Sequence, residues 1–221
     1  MKRALVIGAS GGIGTAIVKR LELLGFEVLE LSRTTDGLDL VDSDSVDALL
    51  GAVDGGFDLI FVASGALEIN GEPPEKSLRQ LKARAMADQF AVNAIGPALI
   101  LKHAARLLHR DRDAVFAALS ARVGSIGDNG LGGWYSYRAA KAALNQIIHT
   151  ASIELARTHP QSIVVALHPG TVATPFTEKF VKPQNATTPY IAAKNLLGTI
   201  QALTPSESGG FFDYSGKVIP W

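Results

Sequence analysis

Ala4-Leu5-Val6-Ile7-Gly8-Ala9-Ser10-Gly11-Gly12-Ile13-Gly14 stands near the start of the chain and sets the architecture of everything behind it. Four apolar residues run straight into glycines, as a strand buried inside a parallel sheet does. Beyond them Ile13, Ile17, Val18, Leu21 and Leu24 recur at helical spacing up to Gly25. Strand, glycine turn and helix make the front of a βαβ unit. Such a helix start presents free N–H groups and the positive end of its dipole, and glycines let a pyrophosphate approach the backbone. The spacing Gly8-x-x-x-Gly12-x-Gly14 differs from the G-x-G-x-x-G of most dinucleotide folds. Its place straight after an N-terminal strand is nonetheless the context that the motif requires.

The pattern then repeats. Phe26–Leu31 reads as a second strand, with Ser32-Arg33 just past its end. In a dinucleotide fold an acid there accepts from the ribose 2′-hydroxyl, whereas an arginine pairs with a 2′-phosphate. No acid follows the strand directly, so the sequence favours NADP(H) over NAD(H). Ser43 or Asp44 can cap a helix through Val46 and Leu50, and Phe57–Ala63 is another buried strand, ending in Ser64-Gly65. A loop over Glu72–Ser77, with Pro73-Pro74, precedes a helical region from Leu78 to His109 that should break near Gly96-Pro97. Asn93 lies inside it, facing water or turned by a kink toward a site. Strands follow at Ala114–Leu119 and Ser162–Leu167, a helix at Ile191–Leu203, and closing strand segments at Gly209–Tyr214 and Lys217–Trp221. The alternation predicts an α/β, Rossmann-like, doubly wound parallel sheet of about seven strands with helices on both faces. One domain spans 1–221, with a proline-rich, variable substrate loop near 175–190.

Composition narrows the function. Hydrophobic residues make up 47% and charged residues 19%, and Lys+Arg and Asp+Glu balance at 21 each. A nucleic-acid or anionic-membrane partner calls for a basic surface, and none is indicated. The absence of cysteine excludes disulfides and thiolate chemistry and fits a reducing compartment. Met1-Lys2-Arg3 followed by an apolar run resembles the start of a signal peptide, but glycines break the run at once and no cleavage site follows. No apolar run approaches the ~20 residues that cross a bilayer. A cytoplasmic enzyme is expected. The five histidines lack metal-ligand spacing, so no metal site is expected and each reads as a surface or packing residue.

Chemistry concentrates in Tyr137-Arg138-Ala139-Ala140-Lys141, which follows a glycine-rich stretch ending at Trp134-Tyr135. On a helix, Tyr137 and Lys141 share one face. A phenol holds its proton to about pH 10, and a neighbouring ammonium favours the phenolate, so the pair can trade a proton nearer neutrality.

Taken in order, Gly8-x-x-x-Gly12-x-Gly14, Ala63-Ser64-Gly65, Asn93, Ser120, Tyr137-x-x-x-Lys141 and Pro169-Gly170-x-Val172-x-Thr174 resemble the short-chain dehydrogenase/reductase family over essentially the whole chain. Leu119–Ile126 and the closing Gly209–Trp221 are similar to the branch that holds the C-factor signalling proteins and sniffer-type carbonyl reductases. The resemblance implies hydride transfer between a nicotinamide and a small carbonyl or alcohol substrate. Tyr137 would be the general acid, and Lys141 would depress its pKa and hold the nicotinamide ribose. Ser120 would bond the substrate oxygen, and Asn93 would support a water chain. Gly8, Ser10, Gly11, Gly12, Ile13 and Gly14 would cradle the pyrophosphate, with Ser32 and Arg33 at the 2′-phosphate and Asp39 and Leu40 at the adenine. Ala63, Ser64 and Gly65 would line the adenine ribose, Val172 and Thr174 would fix the carboxamide, and Pro169 and Gly170 would also meet the cofactor.

Three departures stand out. Val62-Ala63-Ser64-Gly65 replaces the family's Asn-Asn-Ala-Gly, Ala121 occupies the usual serine position before Gly124, and the interval to Tyr137 is longer than usual. Ser120 would need a local twist to replace that serine, and Ser125 is the alternative donor. Pairing through the apolar face of the Tyr137 helix would give a homodimer or homotetramer, unless that face belongs to the core. The competing function is a C-factor-like signalling protein that binds the dinucleotide with little turnover.

Overall fold

The computed structural model describes residues 1–180 and 183–221. Six strands, β1 (Arg3–Ile7), β2 (Glu27–Leu31), β3 (Leu59–Val62), β4 (Ala114–Leu119), β5 (Ser162–His168) and β6 (Phe211–Asp213), form one sheet in the order β2-β1-β3-β4-β5-β6. Every neighbouring pair is parallel. Between them run α1 (Gly12–Leu23), α2 (Arg33–Asp36), α3 (Ser43–Gly51), α4 (Ala83–Phe90), α5 (Gly96–Leu101), α6 (Ala104–Leu107), α7 (Tyr135–Leu155) and α8 (Pro189–Ala202).

Side chains alternate across a strand, so each strand feeds two cores. Ala4, Val6, Phe61, Ala117 and Val165 pack under α1 and α8 on one face. Leu5, Ile7, Ile60, Phe116 and Val164 pack with Leu50, Ile100, Leu144 and Ile148 of α3, α5 and α7 on the other. Covering on both faces explains the near-continuous apolar runs. After β1 the chain steps outward to β2 and then returns to β3 on the other side of β1. Strand order reverses there, which opens a crevice beyond the carboxyl ends of the strands.

The structure corrects the sequence reading in several places. The sheet itself, with six strands among the described residues, agrees with the expected doubly wound parallel sheet of about seven. Of the closing segment at Lys217–Trp221, Val218 makes only an isolated antiparallel bridge to Phe212. The helical region opens at Leu78 with one 3₁₀ turn, Leu78–Gln80, and resumes as α4 at Ala83; its irregularity precedes the proline, where a π-turn over Ala91–Ile95 joins α4 to α5. Pro97 sits in the first turn of α5, where its missing N–H and its ring conflict with an unbroken α-helical ladder. Asp42, not Ser43 or Asp44, caps α3 by accepting from the Asp44 N–H at 3.0 Å. The stripe of α7 that carries Leu144, Ile148 and Leu155 packs into the core, while Ile153 on the same helix is exposed.

Candidate active site

A cleft of about 530 Å³ opens at the carboxyl ends of the strands. Its floor is the glycine turn. Gly8 adopts φ +81°, and a β-carbon there would stand 2.9 Å from the Ser64 backbone nitrogen. A β-carbon on Gly14 would run into the Gly8 carbonyl. These two glycines pack β1 and α1 against the β3 turn, while Ser10, Gly11, Gly12 and Ile13 line the cleft. Gly11 caps α1 with no side-chain hydrogen bond, and no acid stands in the first turn. The first N–H groups of α1 are therefore left for an anion.

At the end of β3, Ala63, Ser64 and Gly65 line the same cleft. The Ser64 hydroxyl oxygen is buried with no partner. Across from it, the Pro169–Thr174 loop contributes Pro169, Gly170, Val172 and Thr174. Thr174 Cγ2 would lie 2.7 Å from a β-carbon on Gly12, so the loop meets the glycine turn where only a hydrogen fits. Open helix N–H groups, bare glycines and an orphaned hydroxyl together fit a dinucleotide.

Ser32, Arg33, Asp39 and Leu40 lie outside the cleft lining. Ser32 caps α2, its Oγ accepting from the Thr35 N–H at 3.2 Å, and Arg33 is exposed. The single turn of α2 returns an acid that the linear reading missed: Asp36 Oδ2 accepts from the Ser32 N–H at 2.8 Å. Asp39 accepts locally from the Val41 N–H, and Leu40 packs against Gly96.

Asn93 is turned inward by the π-segment. Its Nδ2 donates to the Ala66 carbonyl at 2.8 Å and to Gln89 Oε1 at 2.7 Å, and its Oδ1 accepts from the Ala66 N–H at 3.1 Å. It backs the cleft through the turn it holds rather than lining it.

Tyr137 and Lys141 project from α7 into the cleft, both buried. The helix is started from an unexpected quarter. Gly132, Gly133 and Trp134 take successive left-handed conformations (φ +64°, +68° and +53°). The Glu75 backbone carbonyl accepts from the Trp134 N–H at 2.5 Å. The buried Glu75 carboxylate accepts from the Ser136 N–H at 3.2 Å and from the Ser136 hydroxyl. A carboxylate at a helix N-terminus satisfies orphan donors and the dipole together. Sequence reading passed over Glu75 because no local spacing links it to α7.

Lys141 Nζ lies 5.8 Å from the Tyr137 ring centroid and donates to the Leu119 carbonyl at 2.9 Å. Burial pushes the Tyr137 phenol pKa well above its ordinary value and the Lys141 ammonium down to about 7. Burial, not the expected lowering by Lys141, sets the direction of the phenol here. Desolvation disfavours charge on both groups, and a lysine held near neutrality exerts less charge on its neighbour.

Ser120 lines the cleft, but its hydroxyl donates to Asn145 Oδ1 at 2.6 Å, one turn along α7 from Lys141. Ala121 lines the cleft beside it. Ser125 is buried elsewhere, its Oγ accepting from the Asp128 N–H at 3.0 Å. His168, set aside in the sequence reading as a surface or packing residue, also lines the cleft. Trp134, Phe176 and Phe180 form an aromatic wall, with Phe180 6.0 Å and Tyr137 6.2 Å from the Trp134 ring. Val181 and Lys182 of the expected substrate loop lie outside the described residues. Among the described residues no group of three or more His, Asp or Glu is placed to hold a metal. No described helix is long and apolar enough to cross a membrane.

This doubly wound sheet with a glycine-turn cleft defines a Rossmann-like, dinucleotide-binding type of fold. A family model described as enoyl-(acyl carrier protein) reductase matches residues 8–211, and the chain belongs to the short-chain dehydrogenase/reductase family. It is 30% identical, over the full length of both proteins, to the 1-hydroxy-2-glutathionyl-2-methyl-3-butene dehydrogenase of Rhodococcus sp. strain AD45. It is 36% identical to the C-signal of Myxococcus xanthus, over 62% of this chain and 78% of that one. Among solved structures, the carbonyl reductase Sniffer of D. melanogaster matches with a TM-score of 0.80 at 23% identity, covering all of both chains. An NADPH-bound carbonyl reductase from chicken fatty liver matches with a TM-score of 0.78 at 23% identity, over 100% of this chain and 99% of that one.

Proposed function

We propose that this oxidoreductase reduces a small carbonyl compound to its alcohol with NADPH, as a single cytoplasmic domain. Bound NADPH supplies the hydride. Tyr137 gives its phenolic proton to the carbonyl oxygen, so that one hydride and one proton complete the alcohol. Burial favours that role by keeping the proton on the phenol until substrate arrives. Lys141 holds the nicotinamide ribose and, with a pKa near 7, returns a proton to the tyrosine. Asn93 fixes the Gly65–Ala66 turn beside Lys141, where a water chain enters. The uncapped start of α1 takes the pyrophosphate, Ser64 the adenine ribose, and the Pro169–Thr174 loop the carboxamide. Arg33 favours the 2′-phosphate, and Asp39 and Leu40 border the adenine. Ser120 keeps Asn145 in place and leaves the substrate oxygen chiefly to Tyr137. Exposed Ile95 and Ile153 support a homodimer or homotetramer.

The observation that carries this reading is the pair Tyr137 and Lys141 in the same cleft as the glycine turn. A panel of aldehydes and ketones tests it by NADPH oxidation. The second reading, a C-signal-like protein that binds the dinucleotide with little turnover, is favoured by Ala121 and by the tied hydroxyl of Ser120. Tight NADPH binding with no oxidation across the panel would select it.

A further inference from the structure

The segment that leads into α7 is fixed by hydrogen bonds rather than by packing. Residues 126–132 are all exposed, Leu131 at 95%. The segment nonetheless ends in a strained way, with Gly132, Gly133 and Trp134 in successive left-handed conformations. Glycine adopts these freely, but a tryptophan stays in one only where its surroundings hold it. The Glu75 carbonyl holds the Trp134 N–H from one side. The other grip comes from Arg138, the residue after Tyr137. Its Nε donates to the Gly133 carbonyl at 2.8 Å, its Nη2 to the Gly132 carbonyl at 3.0 Å and its Nη1 to the Val123 carbonyl at 3.3 Å. One rigid guanidinium fork thus ties both ends of the exposed segment to the first turn of α7.

What the fork holds in place is the Trp134 ring. Its centre lies 6.2 Å from that of Tyr137 and 6.0 Å from that of Phe180, at 73° to each, and the Phe176 ring stands 6.4 Å from Tyr137. All four rings line the cleft, whereas Arg138 does not. A group carried on a carbonyl that reaches the Tyr137 hydroxyl therefore lies beside aromatic surface. Aromatic rings at such distances attract one another beyond plain apolar contact. We propose that Arg138 is a positioning residue that holds Trp134 beside Tyr137, and that the ring so placed favours a carbonyl bearing a flat aromatic group over one bearing a saturated ring of similar size. Arg138 acts through the backbone of residues 132–134 and touches no reacting atom. The assignment rests on the reductase reading above.

Acetophenone against cyclohexyl methyl ketone tests it. The two differ in aromaticity and little in size, and their intrinsic reactivities cancel when the ratio of kcat/KM values is compared between proteins. Trp134→Leu should lower that ratio about fivefold, the worth of one aromatic pair. Arg138→Ala should lower it by a similar factor, with NADPH binding confirming that each variant is folded. Arg138→Lys keeps the charge without the fork and should fall between; it takes the place of Arg138→Ala should that variant not fold. The chain has two tryptophans, so a Trp221→Phe background leaves Trp134 as the only one. In that background, removing the Arg138 fork should shift the emission toward that of the unfolded chain. A wild-type ratio in Trp134→Leu or in the Arg138 variant, or an unchanged emission spectrum, overturns the assignment and leaves the reductase reading intact. Absence of turnover on every carbonyl tried overturns the reductase reading, and this assignment with it.

Discussion

Asn93 Oδ1 and Lys141 Nζ face the same bare α-carbon: a β-carbon on Gly65 would stand 3.0 Å from the first and 3.5 Å from the second. The turn after β3 is therefore clamped between the π-segment and α7, with no room for a side chain on its cleft side. Asn93 cannot yield easily, because its amide is held by Ala66 and Gln89.

Gly65→Ala should displace Asn93 by a few tenths of an ångström and disturb Lys141. We expect kcat to fall about tenfold with a melting temperature lowered by only a few degrees. Steady-state kinetics and calorimetry on the variant check this, and an unchanged kcat would contradict the clamp.

Lys141 makes stability depend on pH in a defined direction. Unfolded, it keeps its proton to about pH 10.5, whereas the folded protein releases it near about pH 7. Between these values the unfolded chain binds more protons, so stability rises with pH; below about pH 7 the full penalty of the buried charge is present. From pH 7 to pH 9, wild type should gain roughly 2–3 kcal/mol relative to Lys141→Met. Urea midpoints of the two proteins at several pH values measure the difference, and parallel curves would refute the buried, neutralised lysine.

Glu75 supports Tyr137 from outside the reacting atoms. Glu75→Ala leaves the Ser136 hydroxyl and N–H without their acceptor and should cost about 1–3 kcal/mol, or roughly 2–10 °C in melting temperature. Glu75→Gln keeps one acceptor and should recover most of the stability. Activity should follow the same order, with kcat affected more than KM for NADPH. Equal melting temperatures for wild type and Glu75→Ala would remove Glu75 from the account.

At the adenosine end, charge opposes charge. Arg33→Ala should weaken NADPH binding about tenfold or more and leave NADH nearly unchanged. Asp36→Asn should strengthen NADPH binding, since Asp36 holds a carboxylate beside the Ser32 N–H. Titrations with both cofactors decide the matter; equal losses for the two cofactors in Arg33→Ala would exclude a 2′-phosphate contact.

What was legible in the sequence is what local pattern determines. The glycine turn after β1 and the four-residue interval of Tyr137 and Lys141 both appear in the cleft, as does the Pro169–Thr174 loop that the family resemblance singled out. What was not legible depends on residues distant in sequence. Glu75 reaches Ser136 across 61 positions, and Ser120 meets Asn145 across 25. Neither contact leaves a periodic trace. Asp36 was missed for the opposite reason: a four-residue helix folds it back within a stretch that reads as plain loop. The burial that raises the Tyr137 pKa was not legible either, because pairwise charge is visible in a sequence and burial is not.

The central claim is that the Tyr137 phenol delivers the proton in the nicotinamide cleft. The most direct measurement is single-turnover oxidation of bound NADPH by a carbonyl substrate in wild type and Tyr137→Phe, with NADPH affinity determined in parallel. The account predicts unchanged affinity and a rate lowered by about 10²–10⁴-fold in the variant; a variant that turns over at the wild-type rate would contradict it.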